Sequence, residues 1–372
     1  MRPTVAEIDL SAISYNIREI KKRVQPAKIM AVVKANAYGH GSLEICKQAI
    51  RSGVEYLGVA CGEEGVAMRK AGVDAPILVF SSSGLNRTDP YLEYNLEATV
   101  FDEAGLYNLT QSAKRMGKPA VVHVKVDTGM NRMGINWRQA PEFVEKVINT
   151  PGIQVQGLYT HFANSDSLDK SFALLQLQRF KQVIARLEEK GIPVPLKHAA
   201  NSGAILDLPD TYFDIVRPGI LIYGYYPNPH MAKSLNLIPA MTFKTKVLYI
   251  KEIDRGESVS YDRTFIAEKK TLVASLPVGY GDGYNRLLSN NGQVLIRGQR
   301  YPIIGKVCMD LVMVDLLDNR DIQVGDEVML MGTQGDETIS AVDLADKSMT
   351  IPYEVLCYIS ERVQRVYVNK DK

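Results

Sequence analysis

The sequence predicts a (β/α)8 barrel followed by a smaller, mainly-β domain. Three observations carry this reading. Between about residues 29 and 224, short apolar runs alternate with helical patterns, as parallel strands joined by crossover helices do. Eight such runs occur, the strand number of a closed barrel. After a linker with three prolines, "YGYYPNPHMAKSLNLIPA", the pattern changes to short strands bounded by Gly, Asp and Asn. A length of 372 residues also exceeds one ordinary core. The expected division is 1–234 for the barrel and 235–372 for the β domain, with the first ten or so residues available to pair with the latter.

In chain order, "SAISYNIREIKKRV" reads as a helix capped by Ser11, with Ile13, Ile17, Ile20 and Val24 on one face. The barrel strands follow: "IMAVVK", "YLGVA", "PILVF", "EATV", "VVHVKV", "VQGLYTHF", "LKHAAN" and "DIVRPGILIY". Between the sixth and seventh, "KSFALLQLQRFKQVIARLEEKG" sets Phe172, Leu175, Phe180, Val183, Ile184 and Leu187 at near-helical spacing, and Gly191 ends it. A doubly wound sheet is the competing layout, but no G-x-G-x-x-G turn follows the first strand. The second part contributes "MTFKTKVLYIKEI", "TLVASLPVG", "QVLIRGQRYPIIGKV", "DLVMVDL" and "DEVMLMG".

Composition narrows the function classes. Hydrophobic and charged fractions of 46% and 23% are those of a soluble globular protein. A net charge of +2, with no block of like charges, argues against a nucleic-acid partner held by bulk charge. No apolar run reaches the ~18 residues of a membrane span. The start, "MRPTVAEIDLSAI", has neither an apolar signal core nor a small-residue cleavage site. Cys46, Cys61, Cys308 and Cys357 are scattered, which fits reduced thiols in a cytoplasmic protein and no zinc site.

In a barrel the C-terminal strand ends form the active face. Lys34 follows the first strand, Lys125 and Arg132 lie at and after the fifth, and His161 ends the sixth. Asn201 and Ser202 end the seventh, and Arg217 lies in the eighth. Each alone reads as well as a rim or packing residue; their convergence argues for chemistry. An ammonium at the end of an apolar strand is costly to bury unpaired, so Lys34 either reaches solvent or reacts. A barrel lysine with nearby hydroxyls and glycines suits covalent capture of the pyridoxal phosphate (PLP) aldehyde. "NSG" (201–203) and "RPGI" (217–220) offer Ser202 and backbone N–H groups to the phosphate.

Nine segments carry a resemblance: "AVVKANAYGHG" (31–41), "VKVDTGMNRMG" (124–134), "GLYTHFANSD" (157–166), "HAANSGA" (198–204), "VRPGILIYG" (216–224), "VSYDRTF" (259–265), "PVGYGDGYNR" (277–286), "GKVCMDLVMVDL" (305–316) and "TIPYEVLC" (350–357). In these pieces and their order, the chain closely resembles the alanine racemase family over essentially its whole length. The resemblance implies a homodimeric PLP enzyme that interconverts L- and D-alanine and supplies D-alanine for peptidoglycan. It implies that Lys34 holds PLP and that Tyr38, Ser202, Tyr353 and the backbone of Gly219 and Ile220 contact the phosphate, with Asn201 beside them. Arg217 would face the pyridine nitrogen, bonded to His161. Arg132 would lie beside the phenolic oxygen and the substrate carboxylate. Tyr261, from the other subunit, would be the second base, and the Met309 N–H would bind the carboxylate across the dimer. Tyr284 and Tyr353 would narrow the entrance. Lys125 falls where some family members carry a carbamylated lysine, an anionic partner for Arg132.

Racemisation needs acid/base groups on both faces of the substrate carbon, which Lys34 and Tyr261 would supply. An arginine at the pyridine nitrogen cannot accept a proton, which should limit transamination. Two departures from the family pattern stand out: Asp262 where glycine is common after the tyrosine, and Gly281 and Asn285 in "GYGDGYNR". The alternatives are a racemase of wider range, for serine or lysine, and an amino-acid decarboxylase of the same layout. Arg217 and Tyr261 oppose the decarboxylase; Cys308 keeps it open. A single-barrel PLP protein would lack the second domain.

Overall fold

The computed structural model describes residues 2–81 and 88–369. Two compact units divide the chain. One comprises Ile13–Ala37 and Ser42–Ile238; the other comprises Met1–Ala12, Tyr38–Gly41 and Pro239–Lys372.

The chain opens with strand β1 (Val5–Asp9) and the helix Leu10–Val24. The Asp9 carboxylate, not the Ser11 expected from sequence, caps this helix: its Oδ1 accepts from the Ser11 N–H at 2.8 Å and the Ala12 N–H at 3.2 Å. Ser11 donates its hydroxyl to the same oxygen.

The first unit is built on parallel strands β2 (Lys28–Val32), β3 (Tyr56–Val59), β4 (Ile77–Val79), β5 (Glu97–Val100), β6 (Ala120–Asp127), β8 (Ile153–Tyr159), β9 (Leu196–His198) and β10 (Ile215–Val216). A short β7 (Ile135–Asn136) pairs only with β6. The hydrogen-bonded order is β10-β2-β3-β4-β5-β6-β8-β9. An isolated parallel bridge between Asn201 and Arg217 joins the chain just past β9 to the chain just past β10. This is the expected eight-stranded barrel. Strands covered on both faces explain the unbroken apolar runs: every residue of β3 and β4 is buried. Met30, Tyr56, Leu78, Leu196 and Ile215 form one core cluster, with Phe80 against it.

Two elements differ from expectation. The eighth strand stops after Val216, because Pro218 has no N–H for the ladder and the chain turns at Gly219 into a 3-10 segment, Ile220–Tyr223. The helix Ser171–Glu189 buries Ala173, Gln176, Leu177, Phe180, Val183 and Leu187, while Leu175 is exposed.

The second unit holds β11 (Met241–Lys246), β12 (Tyr249–Ile253), β13 (Ser258–Val259), β14 (Phe265–Ile266), β15 (Thr271–Leu276), β16 (Gln293–Ile296), β17 (Gln299–Pro302), β18 (Val312–Asp315), β19 (Glu327–Gln334), β20 (Glu337–Ile339) and β21 (Gln364–Val368). Its main sheet runs β17-β16-β19-β11-β1-β21, so β1 lies between the first and the last of this unit's other strands. A second sheet is β12-β15-β18. Ile253, Val259, Ala267, Val273 and Ile304 pack as a core beside it. Arg2 is tied to the fully buried Asp282 by two hydrogen bonds, of 2.7 and 3.0 Å. Among the described residues no helix is long and apolar enough to cross a membrane.

Candidate active site

Lys34 stands two residues past β2, half-buried, at the C-terminal end of the barrel strands. The backbone beyond it turns left-handed: Ala35, Asn36, Ala37 and Tyr38 all have φ near 52°. Left-handed geometry costs roughly 1–2 kcal/mol per L-residue. The surroundings hold it in place. Glu64 accepts from the Ala35 N–H at 2.7 Å and the Ala60 N–H at 2.8 Å, and Asn36 Oδ1 accepts from the Ser42 N–H at 2.8 Å. Small side chains at 35 and 37 and an asparagine at 36 suit this strain. Strain so supported is a mark of functional segments.

Arg217 is buried, and its two terminal guanidinium nitrogens are hydrogen-bonded. Its guanidinium donates to the Thr160 carbonyl at 2.7 Å and the Ala199 carbonyl at 3.0 Å. It also meets His198 Nδ1 at 2.8 Å and His161 Nδ1 at 3.3 Å. Burial pushes it down to about 10, so it stays charged at neutral pH. Burial, then the charges of Arg217, Arg132, Lys125 and Lys34, hold the half-buried His161 well below the ordinary imidazole range. His161 is thus a neutral ring facing four cations. Gln176 fixes the segment that carries it, donating to the His161 carbonyl and to Thr128 Oγ1, both at 3.1 Å.

Lys125 is 5% exposed, with Nζ 5.6 Å from the centre of the Tyr159 ring. Burial, helped by Arg132, Arg217 and Lys34 against Asp127, lowers it to about 8. In an unfolded chain lysine titrates near ~10.4. Between these values the unfolded chain binds the proton and the fold does not, so stability should rise as pH climbs from about 8 toward ~10.4. Thermal melts across that window check this; Lys125→Met should flatten the slope.

Ser202 Oγ accepts from the Gly219 N–H at 2.9 Å, which joins the serine hydroxyl to the start of the 3-10 segment. Asn201 caps the helix Ser202–Asp207, its Oδ1 accepting from Ala204 N–H and Ser165 Oγ. A lysine at a strand end, a hydroxyl at the N-terminal end of a helical turn, and a buried cation form a donor set that fits PLP.

In the second unit, Tyr38 and Tyr353 lie with ring centres 5.9 Å apart. Burial raises the Tyr38 phenol well above its ordinary value, with Cys357 adding, so it acts as a neutral donor. Tyr261 is 69% exposed and Met309 52%. Tyr261 sits in a strained turn: Ser260, Asp262 and Arg263 have φ of 67°, 59° and 52°. Asp262 thus occupies the conformation that glycine adopts without cost. Gly281 is also accounted for, since a Cβ there would lie 2.3 Å from an Arg362 nitrogen.

Tyr284 points inward: it is 2% exposed, packs near Phe243 with ring centres 6.3 Å apart, and lines a small apolar cavity with Leu288, Met331 and Leu344. Gly283, in a left-handed turn at φ 94°, precedes this inward side chain. Tyr280 is the exposed tyrosine of that segment. Sequence reasoning also passes over His198. Period-two alternation in "VVHVKV" puts His123 and Lys125 on one strand face, and that pattern is the signal that polar groups occupy the barrel interior.

Comparison with known proteins follows the same line. The alanine racemase N-terminal domain family matches residues 8–227 and the C-terminal domain family residues 240–367. The chain is 46% identical over 370 residues to alanine racemase 2 of Caldanaerobacter subterraneus subsp. tengcongensis, covering 99% of this chain and 95% of that one. The crystal structure of alanine racemase from D-cycloserine-producing Streptomyces lavendulae superposes with a TM-score of 0.95 at 34% identity, over 100% of this chain and 98% of that one. That of Bartonella henselae, with covalently bound pyridoxal phosphate, gives 0.89 at 29% identity, over 99% and 100%.

Proposed function

The chain belongs to the alanine racemase family of PLP-dependent isomerases, and from that premise we propose that it moves a proton between two bases, Lys34 and Tyr261, on opposite faces of the alanine Cα. The observation that carries this is the Arg217 guanidinium, buried, charged and held by four partners at the strand ends. PLP, when bound, supplies an electron-withdrawing ring that acidifies the substrate Cα–H. Lys34 holds the cofactor and exchanges the proton on one face. Ser202 and the N–H groups at Gly219 and Ile220 are donors for the phosphate, with Tyr38 and Tyr353 assigned by family resemblance and Asn201 as the cap that orients Ser202. Arg217 offers only donors to the ring nitrogen it would face, which favours proton exchange over transamination. Arg132 attracts the substrate carboxylate, and Lys125 stands beside it as a carbamylation candidate.

Tyr261 is the second base and Met309 N–H the second carboxylate donor, both supplied by the other subunit of a homodimer. Their exposure on a single chain supports this, as does the strain around Tyr261. The product serves peptidoglycan synthesis in the cytoplasm.

The test is chiral analysis after incubating PLP-loaded protein with L-alanine, L-serine or L-lysine. D-alanine is expected; its absence overturns the reading. Tyr261→Phe should lower turnover about 10²–10⁴-fold. Mixing Tyr261→Phe with Lys34→Ala chains should restore one intact site per heterodimer. No recovery despite demonstrated subunit exchange would place both bases in one chain.

A further inference from the structure

The interior of a parallel barrel is ordinarily filled with branched apolar side chains. Here two imidazoles, His123 on β6 and His198 at the end of β9, are fully buried within it. They are joined end to end. His198 Nδ1 lies 2.8 Å from an Arg217 nitrogen, His198 Nε2 lies 2.9 Å from His123 Nδ1, and His123 Nε2 lies 2.7 Å from Glu97 Oε2. The row climbs the barrel. Glu97 opens β5, His123 pairs in register with Thr99 two residues above it, and His198 pairs with Tyr159 two residues above Gly157, the partner of His123.

Donor rules fix every proton in this row. A guanidinium only donates, so His198 Nδ1 accepts and its proton sits on Nε2. That N–H points at His123 Nδ1, so the His123 proton also sits on Nε2 and is donated to the Glu97 carboxylate. A charged imidazole at either place would set two donors against each other. Burial, with the Arg217 charge and His123, holds His198 well below its ordinary range, in keeping with a neutral ring. The barrel is shaped around this arrangement. The Tyr159 ring stacks on His198 at 4.8 Å and 4°. Gly157 leaves the space for His123, since a Cβ there would lie 2.2 Å from Nδ1. Glu97 lines a cleft with Arg69, Asp74 and Lys118 at the N-terminal strand ends, where its carboxylate is 13% exposed. None of the family motifs quoted from the sequence contains Glu97 or His123.

We propose that Glu97 and His123 are positioning residues that act through His198 to hold the Arg217 guanidinium in one orientation. Glu97 is the terminal acceptor, taking the last N–H of a row whose protons Arg217 sets. The consequence for catalysis rests on the reading above, in which Arg217 faces the cofactor nitrogen; the proton arrangement itself does not.

The test is nitrogen-15 NMR of histidine-labelled full-length holoenzyme, with kinetics of Glu97→Leu. Both His123 and His198 are expected as neutral Nε2–H tautomers in the unaltered protein. In Glu97→Leu the His123 Nε2–H loses its acceptor, so the His123 nitrogen-15 signals should shift while His198 stays an Nε2–H tautomer, and kcat should fall about tenfold with KM for alanine unchanged. Should Glu97→Leu fail to fold, the unaltered protein still decides. A charged ring or an Nδ1–H tautomer at either histidine there overturns the proposal, as does a folded Glu97→Leu enzyme with native kcat. The tautomers can be read whether or not D-alanine forms, so failure of the relay is distinguishable from failure of the racemase reading.

Discussion

Lys34→Ala is expected to reduce racemisation by about 10⁴-fold or more while the barrel still folds. The side chain is half-buried and follows β2, so its removal opens little core. What disappears is the amine that, in the mechanism proposed above, would capture the cofactor and carry the proton on one face. No neighbour replaces it: Lys125 is engaged over the Tyr159 ring and Arg132 cannot lose a proton. Chiral analysis measures the loss, and circular dichroism checks the fold. Substantial D-alanine formation by a folded Lys34→Ala protein would remove Lys34 from the mechanism.

Arg217→Glu is expected to change the reaction as well as slow it. A carboxylate can share a proton with the ring nitrogen, where the guanidinium cannot. The share of pyruvate, the transamination product of alanine, should rise relative to D-alanine. Racemisation should fall about 10²–10³-fold with loss of a charged donor. Stability should drop as well, by roughly 3–5 kcal/mol, because the Thr160 and Ala199 carbonyls and both histidines lose their donor in a buried place. Pyruvate and D-alanine are assayed in the same reaction. An unchanged ratio in a variant that retains PLP would show that Arg217 does not govern reaction choice.

The sequence made the barrel legible because strands covered on both faces leave continuous apolar runs, and eight of these can be counted without knowing how they pair. It could not show where such a run ends: "DIVRPGILIY" looks like one strand, but Pro218 breaks the ladder at once. Helix capping failed for a similar reason. Both Asp9 and Ser11 are good caps, and only the geometry shows which carbonyl and N–H groups are left over. The site residues at strand ends could be placed from chain order alone. Side-chain direction could not: four residues apart in one segment, Tyr280 is exposed and Tyr284 is buried. His198 and His123 escaped because one polar residue inside an apolar run looks the same whether it packs or relays. The strain around Tyr261 and the left-handed run after Lys34 involve ordinary residues, and nothing in their composition announces positive φ.

The place of β1 in the main sheet of the second unit bears on how the protein is made. Its neighbours are β11 and β21, so residues 5–9 pair with residues 241–244 and 364–368. The strand is made about 360 residues before β21, its last partner. At ~5–20 residues per second, that delay is on the order of half a minute. The sheet therefore closes only after β21 has been made, whereas the barrel strands, all within residues 28–216, are complete well before.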